Sequence, residues 1–156
     1  MASSMTFFNK FKKYILDGTI DVAHDTIKVM LVTSAYTFDA TDDILADIII
    51  SPSPEVTAVA SPDNGYTTGG EALTGQAVTF TDSPSQSKFD ANDVTWTALT
   101  ATFRGAVIYA SGTLGDDNVV DPLIAYILFD TTPADVVVNG INYTIQWSAN
   151  GIFTGA

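Results

Sequence analysis

Few residues in this chain are equipped for chemistry: one histidine, eighteen carboxylates and no cysteine. The missing thiol excludes disulfides, thiolate metal sites and cysteine nucleophiles. His24 lies between Asp21 and Asp25, but general-base work needs a nucleophile or metal partner, and neither a serine elbow nor an HExxH pattern accompanies it. It reads as a solvated loop histidine. Glu55 and Glu71 are the only glutamates. A glycosidase-type carboxylate pair depends on separation in space, and no motif ties these two together. Oxygen ligands concentrate in three loops, Asp39/Asp42/Asp43, Asp90/Asn92/Asp93 and Asp116/Asp117/Asn118/Asp121. Calcium takes six to eight oxygens from such loops, yet EF-hand spacing is absent and Asp and Asn also build turns through their own side chains. The expectation is no cofactor, with calcium the one ion these loops suit. Gly69-Gly70, Gly112 and Gly115 do not form a phosphate loop. Trp96, Trp147, Tyr66, Tyr109, Tyr126 and Tyr143 are the aromatics available to a sugar site, although in alternating strands such residues more often fill a core or an interface. The chemistry points away from an enzyme.

The elements that must hold these residues are bounded by composition. A length of 156 residues fits a single domain, 1–156. Only 15% of residues are charged while 46% are hydrophobic, against about 25% charged in an ordinary domain, so apolar and hydroxyl side chains must cover much of the surface. Exposed apolar patches mark contact surfaces, and self-association is expected. Charge is lopsided, with a net value of −12. Lys10, Lys12, Lys13 and Lys28 lie near the start, and beyond them only Lys88 and Arg104 oppose fifteen acids. Such a body repels phosphate, which excludes nucleic acid as a direct ligand. Lysines interrupt the apolar stretch of the first eighteen residues, unlike a secretory signal, and no run reaches membrane-spanning length. A soluble protein made in the cytoplasm is expected.

Along the chain, residues 1–18 read as a helical arm and 19–156 as a β body. Phe7, Phe8, Phe11, Tyr14 and Ile15 recur at helical spacing, and Asp17-Gly18 supplies a stop. Packing on the domain's own sheet is the ordinary fate of such a stripe. The sharper alternative makes Phe7, Phe8, Lys10, Phe11, Lys13 and Tyr14 a contact surface for a partner. Period-two patterning then predicts strands at 26–33, 76–81, 94–97, 100–110, 123–130, 135–138, 143–147 and 152–154, with a short helix within 39–50 and a short strand at 55–60. Asn139-Gly140 reads as a hairpin turn, since both residues accept positive φ. The predicted fold is mainly β, a β-sandwich or flattened barrel with one N-terminal helix.

Several stretches carry a resemblance: Gly65-Tyr-Thr-Thr-Gly-Gly-Glu-Ala-Leu-Thr74, Phe89-Asp-Ala-Asn-Asp-Val-Thr-Trp-Thr97, Arg104-Gly-Ala-Val-Ile-Tyr109, Leu123-Ile-Ala-Tyr-Ile127 and Tyr143-Thr-Ile-Gln-Trp147. With the opening helix and the strand around 27–32, they resemble a group of small virion proteins of tailed bacteriophages over most of the chain. The resemblance implies a structural part of the particle: a capsid decoration (cement) protein on the outer surface bound to the major capsid protein, or a neck or tail component. It implies no catalysis, and closed symmetry makes a homotrimer at local threefold axes the expected state. A carbohydrate-binding adhesive module is the alternative from another class, supported by the aromatics and Asp-rich loops alone.

Overall fold

A computed structural model describes residues 3–82, 85–132 and 134–155. In chain order the elements are β1 (Ser4–Phe7), α1 (Phe11–Leu16), β2 (Ile27–Val32), α2 (Leu45–Ile48), β3 (Glu71–Ala72), β4 (Ala77–Asp82), β5 (Ser85–Asp90) and β6 (Val94–Phe103). There follow β7 (Gly105–Ala110), β8 (Thr113–Leu114), β9 (Val119–Val120), β10 (Leu123–Leu128), β11 (Val136–Ile145) and β12 (Phe153–Gly155). The fold is mainly β, as the turn-punctuated alternation predicts. A five-stranded antiparallel sheet runs β1-β10-β7-β2-β3, with separate sheets β11-β6 and β12-β5-β4 and the small pair β8-β9. None closes into a barrel.

The central sheet is covered on both faces, which explains why β2, β7 and β10 are near-continuous apolar runs rather than alternating ones. Val29, Leu31, Ala106 and Ile108 point into the larger core with Trp96, Leu99 and Phe103 of β6 and Val138 and Ile145 of β11. Met30, Val32, Val107 and Tyr109 point the other way, against Phe8, Leu45 and Ile48. In β10 the alternation slips at Ile124, where the register with β7 shifts between Leu123 and Ala125. This bulge lets Ile124 and Ala125 share the larger core while Leu123 and Tyr126 keep to the smaller one. Burying each large apolar side chain contributes about 1.5–3 kcal/mol. A partly exposed ion pair such as Arg104–Asp135, at 2.9 Å, contributes at most about 1 kcal/mol. Packing, not charge, decides this fold.

Four expectations need correction. Residues 1–18 are not one helical arm: Ser4–Phe7 pair with Leu128–Ala125 as an edge strand, and only Phe11–Leu16 are helical. Met5 and Phe7 pack on one core and Phe8 enters the other, a period-two pattern hidden within helical spacing. Asn139-Gly140 is not a turn but lies inside the ten-residue strand β11. Gly140, at φ 65°, forms a bulge opposite β6, where Ala98 sits at φ 51°. The paired slips matter for packing: Val94 and Trp96 face the core before Ala98, and Leu99 and Phe103 after it. The apparent strand 100–110 is broken at Arg104, where the chain leaves β6 for the central sheet. Gly105 is required there, because a Cβ would stand 2.4 Å from the Ile127 carbonyl oxygen. Residues 55–60 form no strand, only isolated bridges from Glu55 to Val32 and from Ala60 to Asp63.

Candidate contact surfaces

The structure scatters the chemically equipped side chains and gives most of them a local duty. His24 is exposed, its Nδ1 2.8 Å from Asp21 Oδ2. The same turn is closed by the Asp25 carboxylate accepting from the Asp21 N–H at 2.7 Å. The His24 contact holds the Asp21 carboxyl below its ordinary range. Glu55 accepts from the Tyr66 hydroxyl at 2.9 Å and the Gly69 N–H at 2.5 Å. Tyr66 in turn accepts from the Leu31 N–H at 3.2 Å, and Tyr109 donates to the Gly69 carbonyl at 2.8 Å. This network clamps the 55–70 loop onto β2. The Gly69-Gly70 pair belongs to the clamp: a Cβ on Gly70 would lie 2.0 Å from the Val29 carbonyl oxygen. Burial, reinforced by the Glu55 charge, pushes the Tyr66 hydroxyl far above its usual range. Glu71 sits on β3, in register with Val29.

The three acidic loops are likewise occupied. Asp39 accepts from the N–H and hydroxyl of Thr41 at 2.9 and 2.7 Å, Asp42 from the Tyr36 hydroxyl at 2.9 Å, and Asp43 pairs with Lys10. Asp90 pairs with Lys88 at 3.1 Å, Asn92 donates to Thr74 at 3.2 Å, and Asp93 accepts from the Trp147 N–H at 3.0 Å. Asp121 accepts from the Gly112 N–H at 2.7 Å, and Asp117 lies 3.6 Å from Lys13. Among the described residues no three His, Asp or Glu side chains converge on one point. Of the aromatics weighed for a sugar site, Trp96, Tyr66, Tyr109 and Tyr126 are buried, and Tyr143 and Trp147 pack against the larger core.

The residues expected to meet a partner at the N-terminus fare differently from that expectation. Phe8, Phe11 and Tyr14 are buried within the chain, and Phe7 stacks on Phe11 with ring centroids 5.3 Å apart. Aromatic faces of this size are worth more in the core than in water. Lys10 is tied to Asp43 and Lys13 to Asp17 at 2.5 Å. The hydrogen bond from Lys13, with Thr19 adding two more, holds the Asp17 carboxyl at about 2.

What stands exposed is apolar and lies elsewhere. Leu16 at the end of α1 is 87% exposed, Val137 and Ile141 on β11 are 72% and 62%, and Val78 and Phe80 on β4 are 53% and 61%. All six residues of β4 are exposed. Val78, Ile15, Ile20, Phe89 and Phe153 line a groove of about 510 Å³, and a neighbouring one of about 460 Å³ runs along Phe7, Phe11, Leu16 and Phe153. Period-two alternation predicts the strand at 76–81 that the structure shows as β4, but not that its apolar face lacks a cover. Compared with family models, curated proteins and solved structures, the chain matches none.

Proposed function

We propose that this chain is a structural virion protein of a tailed phage, most specifically a capsid decoration protein that sits on the outer shell, binds the major capsid protein and stabilises it. One observation carries the reading: most polar groups able to do chemistry are spent on turns and clamps, whereas large apolar side chains stand exposed on strands β4 and β11, at the tip of α1 and at Ile50. A cement protein works through such surfaces, by shape, apolar contact and strand-edge pairing, without making or breaking bonds. Net charge of −12 suits a body facing solvent rather than packaged nucleic acid and keeps free copies apart until a specific surface overrides the repulsion.

Particles imaged with and without the protein test this. Density over the whole head, hundreds of copies, agrees with decoration, whereas roughly six to twelve copies in a ring place it at the neck or tail, because cyclic symmetry fixes the count. Loss of the protein without change in head stability would count against cementing. A glycan array, run with and without calcium, addresses the adhesive-module alternative.

A further inference from the structure

We propose that the free edge of β4 pairs antiparallel with β4 of a second copy, about a two-fold axis at Thr79. This rests on the edge itself and not on the virion reading. The sheet order β12-β5-β4 leaves β4 at the margin, with every residue exposed. Val78 is opposite Phe89 and Phe80 opposite Ser87, so Val78 and Phe80 share the face that carries the buried Phe89. Thr79 and Thr81 stand on the other face, opposite Lys88 and Gln86. The strand is thus amphipathic, but its apolar face runs past the body and stays in water. Natural edges are usually blunted by charge, proline or a covering segment. Residues 77–81 carry no charge and no proline.

The occupant follows from register and charge. Faces match only when residues of equal parity oppose each other, since a one-residue slip turns every side chain over. Centring on Thr79 sets Val78 against the other copy's Phe80 and the reverse, two aromatic to β-branched pairs of the kind that stabilise sheets. Asp82, the only charge on the strand, then meets Gln76. Centring on Phe80 would instead set each Asp82 against a Val78. In a chain of net charge −12, residues 77–81 carry no charge, so a second copy meets little local repulsion along them. The result is one continuous six-stranded sheet, and a two-fold contact rather than the threefold the sequence reading favours. The contact is smaller than the roughly 800 Å² per partner of a standard interface. A weak dimer in dilute solution is expected, strengthened where copies are held side by side.

The cysteine-free chain allows a direct test on purified full-length protein. Paired strands bring opposed Cα atoms to about 4.5–5.5 Å, within the range a disulfide bridges. Thr79→Cys should form an interchain disulfide under mild oxidation about tenfold or more faster than Val137→Cys on the exposed β11 face, through its higher effective concentration. Sedimentation of the wild type should show mass rising toward a dimer below about 1 mM, and Phe80→Asp, checked for folding by circular dichroism, should abolish that rise. Equal oxidation rates for the two cysteines overturn the proposal, as does a wild type monomeric throughout or a folded Phe80→Asp protein that still associates. Should Phe80→Asp fail to fold, the ratio of the cysteine rates decides alone.

Discussion

The central sheet and the β4–β5 pair use similar residues under opposite conditions. β2, β7 and β10 are covered on both faces, so nearly all their side chains are apolar and buried, the half-buried Lys28 being the one charge. β4 is covered on neither, so its apolar residues contribute little to this chain alone. The lesson is that an apolar strand residue stabilises the fold only where another layer lies over it. Where none does, it is surface offered for contact.

The sharpest way to break this contrast is one substitution made in both regions. Phe103→Ala, at a fully buried position, should cost about 3–5 kcal/mol, while Phe80→Ala, at 61% exposure, should change monomer stability by no more than about 0.5 kcal/mol. Urea denaturation at low concentration measures both, and comparable losses would erase the distinction. A second comparison uses glycines. Gly70→Ala drives a Cβ to 2.0 Å from the Val29 carbonyl oxygen, and a loss of about 3 kcal/mol or more is expected, as for other severe defects. Gly140→Ala meets nothing within 4 Å and should cost only the left-handed backbone term, about 1–2 kcal/mol.

A smaller effect comes from the tyrosine clamp. Tyr66→Phe keeps the ring but strips the hydroxyl from Glu55 and the Leu31 N–H, which should cost about 1–3 kcal/mol at neutral pH. The same clamp sets a pH limit. Burial raises the Tyr66 and Tyr36 hydroxyls and pushes Tyr109 up to about 12. A group raised on folding contributes stability that is fully present below its unfolded value, near 10 for tyrosine. That contribution is lost as pH climbs through the folded value, so stability should fall from about pH 10 upward. Tyr66→Phe should make the fall shallower, and melting temperatures from pH 8 to 12 test this. The smallest effect belongs to Arg104→Ala, which loses a partly exposed pair with Asp135 and should cost no more than about 1 kcal/mol.

How much of this was readable in advance varies by element. Strands β2 and β10 were legible as short apolar runs bounded by turn residues, whereas the sequence pattern runs β7 into one strand over 100–110 and hides its break at Arg104. The N-terminal strand was not, since Phe7, Phe8, Phe11 and Tyr14 satisfy helical spacing even though Phe7 and Phe8 face different cores. Along β6 and β11 the alternation slips by one residue near Ala98 and Gly140, and a slip looks like a turn until a partner strand makes it a bulge. The Asp-rich loops were legible as turns. The contact surface was not.

By itself, then, the sequence determined the β class, the acidic charge and the absence of thiol chemistry, because each depends on residue types and local period alone. Tertiary structure decided which apolar side chains became core and which stayed in water. Coverage is a property of two surfaces meeting, and no single strand encodes what lies across from it.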